Sequence, residues 1–529
     1  APARLAHGEP FFAWVDFMIH GGILSQFGDP RAAGVGSIDL PGVPAFPYHY
    51  ASYSMPAALA APLDLPGLPL ATSAWLPLGL LTLFAGAYVL GAVLAGPAGG
   101  LAAVAALALA PDPATYGLRN GLLGFRWNAI GAPGASYAAG FCLLGLAFVV
   151  RWAAGGGRRA LLTGCAVVAG TALVRVHLFA LAFPATLAAA ALALPAVRRR
   201  LPLFAALALA ALAAFTLAFY ALVPFAAPAL EGALDMLHGD FFSWPNAYQG
   251  WYPALKAEHG AGLAVPAGIA VVLIAGLGAL ILLCPLAAWL ARRAQGPRPA
   301  GYAPAVFVAV YVALLVAAPL PKHGDPTEFT QRPLVVLYAV LAVWTAACLV
   351  LALSPKGAEG ARRAWRMLLA AGVLGLAAIA PATRALGGEP RYFWGYELYA
   401  FRLDPGLVGA AAYLRAHAQR GDMFAIREVA IGEGGADLAT RVVAMSGVPA
   451  WLGRPWMHLF QGGEREQVAR RRYAVLAGIA REESAEGALR RLRELGVRWY
   501  VVVGDGPRWD RGRSRAAFTS GSVAVYSSR

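Results

Sequence analysis

Long apolar runs leave this chain few ways to fold. They lie at about 72–95, 98–111, 135–151, 160–176, 178–196, 202–226, 263–291, 304–320, 333–353 and 366–382. A helix needs roughly 20 apolar residues to cross a bilayer, so these runs predict membrane spans, and the shorter ones predict tilt or re-entrance. Composition agrees: the 529 residues are 59% hydrophobic and only 13% charged, against about 25% charged in a soluble domain. The net charge of +15 is placed where topology needs it. Arg158-Arg159, Arg198 to Arg200, Arg292-Arg293 and Arg362-Arg363 fall between apolar runs, the positive-inside pattern. No aromatic-interleaved basic groove accompanies them, which argues against nucleic acid as a partner.

An independent count gives the same orientation. Residues 1–70 hold Arg4 and Arg31 against Glu9, Asp16, Asp29, Asp39 and Asp64, so this stretch reads as outside the cytoplasm, and a span is expected upstream of residue 1. Counting spans from there puts 151–160, 197–201, 292–303 and 354–366, the Arg-rich loops, on the cytoplasmic side. Loops 112–134, 227–262 and 321–332 and everything after about 383 are then outside, and all nine histidines lie outside or at outer span ends. The cysteines Cys142, Cys165, Cys284 and Cys348 sit in apolar runs without metal-ligand spacing and read as packing residues.

After about residue 400 the pattern becomes that of a small α/β domain. Residues 404–419 read as a helix with an acidic cap. Stretches 422–430, 441–447, 497–503 and 522–528 read as strands, and GEREQVARRRYAVLAGIA and SAEGALRRLRELG as amphipathic helices. The expected architecture is an α-helical polytopic membrane protein of about 10–11 transmembrane helices with a C-terminal extracytoplasmic α/β domain. Its divisions are 1–71 as a first outer loop with interfacial helices, 72–383 as the transmembrane domain and 384–529 as the outer domain.

Candidate chemistry gathers in the outer segments. Asp16 interrupts the apolar FFAWVDFMI, a run too short to cross a bilayer and read as an interfacial helix. His20 follows one turn later on the same face. A carboxylate there is a candidate general base, and a salt-bridged interfacial acid is the plain alternative. His49 stands between two tyrosines, and Asp16, His20 and His49 are three scattered candidate ligands for a divalent ion, too few in pattern to assign a metal. Arg175 and His177 break an apolar region, and Lys322, His323 and Arg332 occupy or flank one short outer loop. Each is a candidate for holding phosphate, against the ordinary reading of a snorkelling or solvated side chain. Arg119 and Arg126 are further outer arginines. SGVPAWLGRPW (446–456) reads as a surface loop that docks or lines an acceptor cleft.

An acid in the first outer loop, a later YHY near the start of a span, some ten spans and a C-terminal α/β domain with SGVPAWLGRPW and ELGVRWYVVV resemble the GT-C superfamily of integral membrane glycosyltransferases. The resemblance is to bacterial members of the dolichyl-phosphate-mannose-mannosyltransferase-like and aminoarabinose-transferase-like kind. It implies inverting transfer of a sugar from a polyprenyl-phosphate donor, on the outer face of a bacterial inner membrane, to a lipid, glycan or protein acceptor. Asp16 would be the base, and Arg175, His177 and Arg332 would hold the donor phosphate. Many members carry paired acids where Asp16 is followed by Phe17, which leaves Asp29 and Asp39 as alternatives. A transporter or flippase of a lipid-linked precursor and a catalytically silent scaffold subunit are the rival readings.

Overall fold

The computed structural model describes residues 12–45, 50–110, 124–199, 251–295, 301–318, 331–353, 400–427 and 437–529, with Leu230, Ala233, Leu234 and Phe329 besides. The chain divides into two compact units: Ala1–Leu78 with Tyr396–Arg529, and Gly79–Gly395. The first stretch and the C-terminal region thus belong to one unit.

In that first unit the stretch FFAWVDFMI is split. Phe12–Trp14 is a strand, β1, paired antiparallel with Ala400–Arg402, and helix α1 follows at Val15–Gly28. Met18 and Leu24 are fully buried, and Gly21 and Gly22 are buried too. With no side chains there, the backbone of Gly67 and Leu68 closes directly on Gly21. The helix is therefore buried in protein on several faces. A short hairpin, β2 (Gly36–Ser37) and β3 (Leu40–Pro41), turns through Ile38 and Asp39. Helix α2 (Tyr50–Ala57) and a π-helical turn at Ala71–Trp75 follow.

The second unit is helical throughout its described residues. Helix α3 (Leu76–Leu109), whose first three residues belong to the first unit, leaves helical geometry at Ala95 (φ −142°) and Gly96 (φ 74°). A Cβ on Gly91 would fall 2.5 Å from the Gly99 carbonyl oxygen, and one on Gly100 would fall 2.8 Å from the Tyr88 ring. Residues eight and twelve apart on a straight helix lie about 12 and 18 Å from each other, so the chain folds back on itself. Gly96 supplies the left-handed turn and Pro97 restarts the helix. Two antiparallel helices result, matching the two apolar runs read at 72–95 and 98–111.

There follow α4 (Phe125–Gly131), α5 (Gly134–Ala153), α6 (Arg158–Ala169), a single turn at Thr171–Val174, and α7 (Val176–Ala193). Next are α8 (Ala261–Leu277), α9 (Leu280–Gln295), α10 (Ala303–Ala317) and α11 (Leu334–Leu353). Helices α3 and α5 meet backbone to backbone: a Cβ at Gly86 would fall 2.4 Å from the Gly140 oxygen, the close small-residue packing that replaces hydrophobic driving force in lipid. Among the described residues, four helical stretches, Gly67–Leu109, Gly134–Ala153, Val176–Ala193 and Leu334–Leu353, are long and apolar enough to cross a membrane. A fifth joins them if Ala261–Leu277 and Leu280–Ala294 form one span, although the two are bent by 77°. The single span read at 263–291 is thus broken, at Gly278 with φ 52°, inside an apolar run that carries no polar signal. The runs at 202–226 and 366–382 lie outside the described residues.

The chain then returns to the first unit with β4 (Ala400–Arg402), α12 (Pro405–His417), β5 (Met423–Ile426), α13 (Leu438–Ser446), α14 (Pro455–Gln461), α15 (Gly463–Arg481), α16 (Ala485–Glu494), β6 (Val497–Val503), β7 (Phe518–Ser520) and β8 (Val523–Ser527). The sheet order is β5-β6-β8-β7, with β5 and β6 parallel and the rest antiparallel. Asp404 caps α12 by accepting from the Gly406 and Leu407 amides at 2.7 and 3.3 Å, the acidic cap expected from the sequence. The stretch 441–447 is helical, not the expected strand. Asp437 caps it, Gly447 ends it at φ 75°, and its β-branched pair is buried on the helix face. Caps and packing outweigh the β preference of Val442 and Val443.

Candidate functional site

In the second unit the helical path breaks at Arg175, whose φ of −163° and ψ of 104° separate Thr171–Val174 from α7. Arg175 is 4% exposed and His177 6%. The His177 ring meets Phe329 edge to face at 4.7 Å, three residues before Arg332. Arg332 in turn donates from Nη1 to Asn128 Oδ1 at 3.2 Å and lies 5.8 Å from the Trp127 ring centre. Asn128 is oriented by its own donation to the Gly124 carbonyl at 2.9 Å. Buried Arg126, beside Trp127, donates to the Ala110 carbonyl at 2.6 Å and so caps the end of α3. The structure thus links His177 to Phe329, three residues before Arg332, and Arg332 to Asn128, two residues after Arg126.

Among the described residues the only acid of this unit is Glu258, which is exposed and lies 3.5 Å from His259. Arg175 Nε is sealed from solvent and meets no hydrogen-bond acceptor. A guanidinium buried that way costs several kcal/mol unless an anion joins it, and its planar donor set suits phosphate oxygens. Lys322, His323 and His49 lie outside the described residues.

In the first unit, Asp16 is the second residue of α1, half-buried at the positive end of the helix dipole. His20, one turn on, is buried. Its Nδ1 is 2.6 Å from the Tyr53 hydroxyl, and its ring centre is 4.5 Å from that of Trp75. Tyr53 and Trp75 carried no functional signal in the sequence, because a tyrosine and a tryptophan at a span end read as interfacial belt.

The two alternative acids part company. Asp29 is wholly buried and saturated: Oδ2 lies 2.6 Å from Arg415 Nη1, and Oδ1 lies 3.2 Å from Arg31 Nη1 and accepts from the Arg31 amide at 3.0 Å. Arg415 goes on to the Ser446 carbonyl at 2.9 Å and to exposed Asp64 at 2.7 Å. This lattice ties α1 to α12 and α13 and leaves the Asp29 carboxylate no room to act on a substrate.

Asp39 is different. Its carbonyl accepts from the Gly453 amide at 2.8 Å, which lays the hairpin turn against the loop before α14, yet its Oδ1 is sealed without a hydrogen-bond partner. Burial pushes its pKa up to about 6, against the opposing pull of Arg454 and Arg465. Close by, Asp437 is held by the Thr440 amide and hydroxyl and by the Arg454 amide. His458, 4% exposed, is pushed down to about 3 by burial first and then by Arg465, Arg454 and Arg472. Neither imidazole nitrogen makes a hydrogen bond of full geometry, nor does Arg454 Nε. Arg472 is anchored on the Trp451 and Pro41 carbonyls. Each unsatisfied buried group costs about 1–3 kcal/mol, so the Asp39 cluster, like Arg175, is a place where stability has been forgone. From sequence this cluster was visible only as a loop with aromatics; nothing in it announced that His458 faces Asp39's neighbours.

Among the described residues no three His, Cys, Asp or Glu side chains group as metal ligands.

No protein-family model and no curated protein matches the sequence. Among solved structures, the chain is similar to the oligosaccharyltransferase of Archaeoglobus fulgidus. Against its complex with zinc and sulfate the identity is 10% and the TM-score 0.45, over 93% of this chain and 64% of that chain. Against the Archaeoglobus fulgidus AglB complex with an inhibitory peptide and a dolichol-phosphate the identity is 12% and the TM-score 0.37, over 92% and 65%. The apo form gives 11% and 0.38, over 93% and 66%. The chain spans less than two thirds of the length of these structures, and at such values the similarity assigns no residue its role and the chain no activity.

Proposed function

We propose that this chain is a membrane glycosyltransferase of the inverting kind that moves a sugar from a polyprenyl-phosphate donor to a lipid, glycan or protein acceptor on the outer face of the membrane. The observation that carries the reading is Arg175: a buried arginine whose Nε has no acceptor, at a helix break two residues before His177. A lipid-borne phosphate would supply the missing anion, and charge-assisted hydrogen bonds from the arginines would stabilise the phosphate as it departs. Lys322 and His323 are proposed to add to this phosphate site, and His20 and His49 to line the substrate. Asp16 is the proposed base, removing the acceptor's proton. Asp39, with its raised pKa, is the alternative, and Asp29 is set aside because two arginines occupy it.

Purified protein in nanodiscs, offered a panel of radiolabelled polyprenyl-phospho-sugars with membrane extract as acceptor, tests this. Wild type should transfer label, and Arg175→Gln should lose on the order of 100-fold in rate. Loss in Asp16→Asn identifies the base; loss in Asp39→Asn with activity kept in Asp16→Asn moves it. No transfer from any donor, with the extract shown competent by another transferase, rejects the reading.

The interruption at Arg175 and the 77° bend at Gly278 favour one rival, a flippase for a lipid-linked precursor, since broken helices line transport sites. Scrambling of a fluorescent polyprenyl-phosphate in proteoliposomes without any sugar transfer would establish it instead.

A further inference from the structure

We propose that the place where the Ile38–Asp39 turn meets α14 is a binding site for a neutral, hydroxyl-rich ligand, a sugar, with Asp39, Arg454 and His458 as its polar contacts. Oδ1 of Asp39 and Nε of Arg454 are shut off from water without hydrogen-bond partners, and the sealed ring of His458 has the Gly453 backbone beside it but no hydrogen bond of full geometry. The three residues are neighbours: Arg454 and Arg465 bear electrostatically on both Asp39 and His458, and the His458 amide donates to the Arg454 carbonyl at 3.4 Å.

The kinds of atom left over select the ligand. A carboxylate oxygen needs a donor and a guanidinium nitrogen needs an acceptor. Neutral imidazole offers one of each. Phosphate or carboxylate would serve Arg454 but repel Asp39, and an ammonium ion would do the reverse. Hydroxyl groups donate and accept at once, so a polyol satisfies all three. Gly453 packs closely on the Asp39 oxygen: a Cβ there would lie 3.2 Å from Oδ1. Trp456, the second residue of α14, is 43% exposed and offers an apolar ring for the C–H face of a sugar. Calling this sugar part of the acceptor rests on the glycosyltransferase reading; the site itself does not.

The test uses the full chain in nanodiscs, titrated with mono- and disaccharide methyl glycosides and, separately, with inorganic phosphate, followed by saturation-transfer NMR. The variants are Asp39→Asn and Arg454→Gly. Arg454 sits at φ 46° and ψ 50°, a left-handed conformation natural to glycine, and its capping amide survives the change, so that chain should fold. Saturable binding of at least one glycoside, weakened about tenfold or more in each variant with the melting transition retained, is the expected result. Phosphate binding without glycoside binding, no binding of either, or glycoside binding indifferent to both substitutions would overturn the proposal. Sugar transfer is scored separately. A chain that binds glycosides in this variant-sensitive way but transfers nothing rejects the transferase and keeps the site; transfer without such binding does the opposite.

Discussion

Asp29 and Asp39 lie ten residues apart in one stretch of loop, both beside arginines, and the fold treats them oppositely. Asp29 has every acceptor position answered, by Arg415, Arg31 and a backbone amide. Asp39 keeps an unanswered oxygen although Arg454 and Arg465 are near. The difference is one of geometry. Arg415 reaches Asp29 from α12 with its other donors fixed on Ser446 and Asp64, whereas Arg465 and Arg472 are turned onto backbone carbonyls of Pro44, Trp451 and Pro41. Proximity of opposite charge is therefore not pairing. A paired buried acid holds a structure together, and an unpaired one is held ready.

The comparison breaks first at Asp29. Replacing it with alanine leaves Arg415 and Arg31 without their buried partner, and unfolding free energy should fall by about 3–5 kcal/mol, seen as a lower melting transition of the full chain in detergent. A loss under about 1 kcal/mol would mean that the lattice is no more than a surface salt bridge.

His458 sets the next effect. Its folded pKa of about 3 lies below the ordinary value of 6.5, so between those values the unfolded chain binds the proton that the folded chain refuses. Stability present above pH 6.5 is then lost as pH falls toward 3, by up to about 1.4 kcal/mol per unit. His458→Phe should flatten that part of the pH–stability curve; an unchanged slope would show that the imidazole is solvated.

Asp39 works in the other direction. Its folded pKa of about 6 exceeds the ordinary 3.8, so the folded chain binds the extra proton, and stability falls as pH rises from 3.8 through 6. Asp39→Asn removes the penalty. The variant should be more stable than wild type at pH 7.5 by about 1 kcal/mol, discounted for the residue's partial exposure, and no different below pH 4. Gain of stability with loss of glycoside binding is the signature of a group kept for function.

Asp64→Asn should do least. Asp64 meets Arg415 at 2.7 Å but is 75% exposed, and the change should stay within about 0.5 kcal/mol. A larger loss would place the lattice's weight on its exposed acid and blur the contrast with Asp39.

Local signals were legible wherever a residue acts on its own sequence neighbourhood. The Asp404 cap, the strand at VRWYVVV and the separation of the apolar runs 72–95 and 98–111 all reached the structure as read. The stretch 441–447 did not, because its two valines favour a strand while the Asp437 cap and burial against the unit's core decide for a helix. The bend at Gly278 was equally hidden, since apolar composition is the same on both sides of it. Of the candidate site, Arg175, His177 and Arg332 were picked one at a time as charges out of place. That His177 meets Phe329, and that Arg332 reaches Asn128, needed the packing of segments far apart in the chain.

The sequence by itself determined that this protein is a bundle of apolar helices with an α/β region, because solvation of apolar residues and backbone amides leaves no other outcome for such runs. It also determined which charged residues are costly where they stand. Only the tertiary structure decided which of those costs are cancelled. Asp29 is answered by an arginine 386 residues away, while Asp39 and Arg175 are left open. Whether a buried charge is paired depends on a partner that can come from anywhere in the chain, and distance in sequence carries no information about angles and reach in space.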